Sequence, residues 1–355
     1  MAILRPIYCL TVGNWSDLHY AVYSENLSRI HRLMENGADI DARNDDGETP
    51  LHYACFSNSD CIEAILKYNP SMNLTERSNR LTPLIIFVTF SEHRTSTLKL
   101  MLEKGADPNL SQINGDTPLH ILAKVEDHQR ERAVRYALEL IKFKADVNAQ
   151  NNYGDTPLHS AIRAGFTELT RILLNNGAQL KSRNFSWQNP IHFVVDCNMA
   201  LSGPIYEIGK YIIEQASIGR KLVSQIFLNG LLLSSDLQLF KEECDQEVLE
   251  LKSTVIDGSF VTYYDFLVLP LDDVGRFLRN EDILEAALAL GETKNIYGKL
   301  FSKIIRDALS RNEAIDIGYE FFKMFSPVTL PHLCIDIICR YLTNNDLWKL
   351  KNFTR

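Results

Sequence analysis

Along roughly the first 217 residues, apolar positions recur at three- and four-residue steps in short bursts, separated by glycine and polar turns. The burst after Thr156 is the clearest. Leu158, Ala161 and Ile162 predict a short helix with one apolar side, and Gly165 breaks it. Leu169, Ile172, Leu173 and Leu174 predict a second helix, closed by Gly177-Ala178, where glycine tolerates the left-handed terminal conformation. Thr156 stands where a hydroxyl caps the first turn, and Pro157 where a missing N–H costs nothing. An extended stretch over 179–187 then leads to the next burst.

The opening phrase of that burst recurs along the chain. It reads Thr49-Pro50-Leu51-His52, Thr82-Pro83-Leu84, Thr117-Pro118-Leu119-His120, Thr156-Pro157-Leu158-His159 and a worn Asn189-Pro190-Ile191-His192. Successive copies are 33, 35, 39 and 33 residues apart, and Leu18-His19 precedes Leu51-His52 by 33. A helix pair of this size cannot bury its own apolar face, so the units must stack into a solenoid.

With Gly37-Ala38-Asp39, Gly105-Ala106-Asp107, Ala145-Asp146 and Gly177-Ala178 in phase, the phrase resembles the ankyrin repeat. Asp46-Gly47, Asn114-Gly115 and Tyr153-Gly154 supply the tight hairpin turn. The resemblance implies an all-α solenoid of helix pairs with β-hairpin turns. Three departures stand out. Asn69-Pro70 replaces a helix-ending glycine, so that helix is expected to end differently. Ile85 replaces the histidine in the repeat opened by Thr82, and a charged insertion of about six residues near 125–132 is expected to lengthen a helix or loop.

The histidines of the phrase (His19, His52, His120, His159, His192) lie one repeat apart, on the order of 10 Å, whereas metal ligands must converge within about 2 Å of one ion. They are expected to bridge backbone groups of neighbouring repeats. No cofactor and no metal site are expected. A net charge of −8 among 355 residues argues against nucleic acid or an anionic membrane as partner. No stretch approaches the roughly 20 apolar residues of a membrane span. Seven scattered cysteines suit reduced thiols in the cytoplasm or nucleus, and Cys55 and Cys61 read as packing thiols. Phosphate loops, nucleophile elbows and paired metal motifs are absent, so no enzyme is expected.

After about Ser217 the phrase stops. Helical patterns are expected over 222–233, 236–252, 272–279, 282–290, 296–309 and 313–325, with 259–266 either a short strand or a helix start. The acidic cluster Glu242, Glu243, Asp245, Glu247 and Glu250 reads as a solvated helix face. In the last residues, Leu330-Pro331 opens an amphipathic helix bearing Ile335, Ile338, Tyr341 and Leu342. A turn at 343–346 leads to Leu347 and Leu350.

That wording resembles the start of an F-box, shortened at the C-terminus. Behind ankyrin repeats it is similar to the PRANC arrangement of poxviruses, Wolbachia and parasitoid wasps. The resemblance implies an ankyrin domain of about six repeats over 15–217, a helical PRANC-like domain over 218–355 and an F-box-like end at 329–355. It implies an adaptor, at work in the cytoplasm and, for a virulence factor, in that of the host cell. Leu330, Pro331, Ile335, Ile338, Tyr341, Leu342, Leu347 and Leu350 would dock on a Skp-family adaptor of a cullin-RING ubiquitin ligase. The repeats would hold an unidentified target protein through hairpin positions such as Asp46, Asn114, Tyr153 and Trp187. The alternative is a purely binding or inhibitory module, directed at a Rel-type transcription factor or another signalling protein, whose C-terminal helices only cap the solenoid.

Overall fold

The computed structural model describes residues 13–90, 94–190, 203–220, 222, 228, 231–232, 235–255, 262–293, 296–325 and 344. The chain divides into two compact units, residues 1–208 and 209–355.

The first unit is a stack of helix pairs. Among the described residues there are five: α1 (Asp17–Tyr23) with α2 (Leu27–Glu35), α3 (Pro50–Ala54) with α4 (Ser59–Leu66), α5 (Pro83–Phe90) with α6 (Thr95–Glu103), α7 (Pro118–Leu122) with α8 (Arg130–Lys142), and α9 (Pro157–Arg163) with α10 (Thr167–Asn175). The first unit is thus an all-α repeat solenoid, and no β-strand occurs among the described residues. The opening phrase explains where the first helix of each pair begins. Thr49, Thr117 and Thr156 are extended N-caps, with proline in the first turn and a reciprocal capping box to the histidine three residues on. Histidine takes the place that glutamate usually fills in such a box.

The second helices end in a common way. The N–H of Ala38, Ala106 and Ala178 returns to the carbonyl five residues back, after Gly37, Gly105 and Gly177 at φ of 79°, 95° and 91°. Repeat two departs, as its sequence predicts. Asn69 supplies the left-handed residue at φ 52°, but Pro70 has no N–H to close the loop. The charged insertion becomes a 3₁₀ turn at Asp127–Gln129 and a 13-residue α8, against 8 or 9 residues for the other second helices. It also clamps the next repeat. The Arg130 guanidinium donates to the carbonyls of Ala164 (2.7 Å) and Gly165 (3.1 Å) and lies over the Phe166 ring at 4.9 Å.

Apolar burial runs without interruption through the stack. Leu51, Ile62, Phe87, Leu98, Leu119, Tyr136, Leu158 and Leu173 are fully buried, and Phe87 packs on Tyr136 with ring centroids 5.5 Å apart. The apolar α5, buried from Pro83 to Val88, fills the repeat whose histidine is missing. Trp15 covers the first pair, its ring 4.6 Å from Tyr53 and 5.1 Å from Tyr20.

In the second unit, α12 (Ser235–Ser253), α13 (Tyr263–Val268), α14 (Leu271–Phe277), α15 (Glu281–Thr293) and α16 (Gly298–Phe325) pack around Cys244, Phe266, Val274, Tyr297, Phe301 and Ile305. These five follow α11 (Pro204–Ser217), which crosses the division between the units. The ambiguous segment at 259–266 resolves into a helix capped by Thr262, preceded by a single bridge between Val255 and Thr262. Two expected segments, 296–309 and 313–325, are one continuous helix. Between the two expected segments, Arg311 is buried and paired with Asp272 at 2.9 Å, and Asn312 donates to the Gly275 carbonyl at 2.7 Å. One member of the acidic cluster also differs from expectation. Glu247 is half-buried and accepts the N–H groups of Ile296 and Tyr297 at the entrance to α16, where a carboxylate suits the positive end of the helix.

Candidate protein-binding surface

Three ladders of hydrogen bonds tie neighbouring repeats, and together they fix which groups remain at the surface. The first runs through the histidines. In His120, Nδ1 accepts the Thr117 N–H (3.2 Å), so the ring proton sits on Nε2 and is donated to the Asp155 carbonyl at 2.8 Å. His19, His52 and His159 repeat the bridge to Glu48, Leu81 and Gln188, in each case the residue before the next repeat opens. With one nitrogen accepting and the other donating, these rings have no lone pair for a metal. Burial lowers the pKa of all four, against the raising effect of the carbonyl bond, and His52 falls to about 4.

The second ladder uses asparagine. Asn73, Asn109 and Asn148 each accept the N–H of Asp107, Asp146 and Gln179 and donate to the carbonyls of Gly105, Lys144 and Gly177. Each amide therefore reads both backbone groups at the end of the next repeat's second helix.

The third ladder joins the hairpin tips. The N–H of Arg77 donates to Asp46, Ile113 to Asn79, Asn152 to Asn114 and Phe185 to Tyr153, all at 2.8–2.9 Å. Below the tips, Asn151 donates to the Asp116 carboxylate (2.8 Å) and Asn184 to that of Asp155 (2.9 Å). Burial raises the pKa of these two carboxyls, but hydrogen bonds and charge from Lys124 and Arg163 outweigh it and hold both below the ordinary value.

The tips present the sequence-predicted target residues. Asp46 and Asn114 are half-buried, while Tyr153 is 63% and Trp187 73% exposed. Two neighbours missed at that level stand out equally: Phe185 is 73% and Ile113 54% exposed. The apolar exposure therefore runs over three consecutive tips. Trp187 occupies the place of Gly47, Gly115 and Gly154, two residues before the repeat opens, and shares their left-handed backbone at φ 61° against 75–80°. A frame aligned on the opening phrase contains that signal. A cleft of about 360 Å³ opens beside the insertion, lined by Thr89, Gln112, Ile121, Lys124, Glu126 and Gln129.

The eight residues of the expected adaptor-docking tail (Leu330, Pro331, Ile335, Ile338, Tyr341, Leu342, Leu347 and Leu350) lie outside the described residues, as does His192. Asn344, within the expected turn, is helical and accepts from the buried Arg311 at 3.1 Å. Among the described residues no helix is long and apolar enough to cross a membrane.

Residues 18–112 and 87–184 match the family model described as ankyrin repeats (3 copies). The chain is 29% identical over 247 residues to the nuclear factor NF-kappa-B p105 subunit of Gallus gallus, covering 64% of this chain and 24% of that protein. It is 26% identical over 187 residues to the NF-kappa-B inhibitor cactus of Drosophila melanogaster, covering 45% and 37% respectively. To the E3 ubiquitin-protein ligase KEG of Arabidopsis thaliana it is 28% identical over 292 residues, covering 78% and 17%. The chain spans well under half the length of each of these relatives. Residues 18–184 carry ankyrin repeats, and such arrays serve protein–protein interaction.

Proposed function

We propose that this chain holds a target protein on the tips of its ankyrin repeats, acting as a non-enzymatic interaction module. The observation that carries this reading is the exposure of Ile113, Tyr153, Phe185 and Trp187 on three tips that hydrogen bonds hold in line. Rigid aromatic anchors give large contact area at small entropic cost, the property that marks binding hot spots. Buried thiols at Cys55, Cys61 and Cys244 fit a reducing compartment, the cytoplasm or nucleus.

Two finer readings differ in what the C-terminal segment does. In the first, residues 329–355 recruit a Skp-family adaptor and its cullin-RING ligase, bringing the held target to ubiquitination through effective concentration. The wording from Leu330 to Leu350 supports it. In the second, the chain sequesters its target as an inhibitor. Support comes from the relatives, whose names include two NF-kappa-B proteins. Substituting Ile335→Asp and Leu342→Asp in the full chain separates them. Loss of Skp and cullin from affinity-purified material, with the target retained, supports the adaptor. Recovery of a target with no Skp or cullin from either form supports the inhibitor.

A further inference from the structure

We propose that the tips at 151–155 and 184–188 form a docking point for an acidic, apolar segment of a partner protein. This deepens the target-binding reading above and rests on it.

Trp187 carries the inference. It is a bulky residue held at φ 61°, in the place that Gly47, Gly115 and Gly154 fill in three other repeats and Arg80 (φ 57°) in a fourth, and it is 73% exposed. A left-handed backbone is unfavourable for tryptophan, and the exposed ring recovers little of that through burial. Its exposure leaves this aromatic edge open to a partner.

The charge around the edge states what that is. The Arg183 guanidinium lies over the Trp187 ring at 5.5 Å, and Lys181, two residues earlier, is exposed, in a chain whose net charge is −8. Asp155, the carboxylate of the Tyr153 tip, is buried and already paired with Arg163 at 2.8 Å. The face that Phe185, Trp187 and Tyr153 present is therefore apolar with a basic border. It fits a segment whose apolar side chains lie on the rings and whose carboxylates meet Arg183 and Lys181.

The test uses the full chain and a fluorescein-labelled decapeptide that alternates leucine with aspartate, read by polarization. A decapeptide alternating leucine with lysine is the control. The expected result is binding of the acidic peptide that weakens with salt. The lysine peptide binds about tenfold more weakly, and the Phe185→Ala/Trp187→Gly double variant loses at least about tenfold. Because glycine suits position 187, that variant melts at or above the wild-type temperature, so the loss is not unfolding. No binding of the acidic peptide, or equal binding by variant and wild type or of both peptides, overturns the proposal. Self-association of the wild type that the double variant abolishes overturns it too, assigning the edge to a second copy. If the peptide fails while purified targets are still lost on substituting Asn114 and Asp46, the broader target-binding reading stands and this edge is not its site.

Discussion

His120 of one repeat donates its Nε2 proton to the main-chain carbonyl of Asp155, the last residue before the next repeat opens, at 2.8 Å. The same ring accepts the Thr117 N–H that begins its own helix, so one side chain both starts a repeat and fastens it to the next. Removing it leaves two buried backbone groups without a partner. His120→Ala should destabilise the repeat unit by about 1–3 kcal/mol, measured as a lower urea midpoint.

The four buried histidines give the repeat unit a defined pH response. Each has a folded pKa below the ordinary 6.5, with His52 at about 4, so the unfolded chain binds protons that the folded one refuses. Their stability contribution is complete above pH 6.5 and is lost as pH falls towards 4. The lowered carboxyls Glu76, Asp116 and Asp155 add a loss of the same sign at lower pH. In the second unit Glu214 runs the other way. Burial raises it to about 7, opposed by Lys210 and reinforced by Glu247. Its contribution is complete below about 4.5 and declines as pH rises through 7. Hydrogen exchange between pH 5 and 7 should show repeat peptides gaining protection and second-unit peptides losing it, with Glu214→Gln flattening the second trend.

Much of this was legible in the sequence because it is local. Thr, Pro and His sit within four residues of one another, so the cap and the helix start follow from spacing alone. Pro70 likewise announces its missing N–H. The asparagine ladder was not legible: Asn148 meets Gly177 and Gln179 only once two repeats have stacked. The continuity of 296–325 was not legible for a related reason: Arg311 and Asn312 find their partners, Asp272 and Gly275, on another helix. Trp187 was singled out for its aromatic ring, whereas its informative property is the glycine place it fills.

Position 187 gives the sharpest substitution. Trp187→Gly should raise stability by about 1 kcal/mol, since glycine adopts the left-handed conformation without strain. Differential scanning calorimetry reads this as a higher Tm, and a clear fall in Tm would mean that the ring is held by packing.

The insertion in repeat four is tested through Arg130. Replacing it with alanine frees the carbonyls of Ala164 and Gly165 and uncovers Phe166. The expected cost is about 1–3 kcal/mol, with faster exchange at the turn between α9 and α10. An unchanged exchange rate there would show that the insertion does not clamp the next repeat.

The claim that the tips hold a target protein has one direct measurement. Wild-type chain and a variant carrying Asp46→Ala, Asn114→Ala, Tyr153→Ala and Trp187→Gly are immobilised at equal density, and captured proteins are quantified by mass spectrometry. A protein is expected to be retained in near-stoichiometric amount by the wild type and lost from the variant, while the variant's urea midpoint stays close to that of the wild type. Capture of the same protein in the same amount by both would contradict that claim.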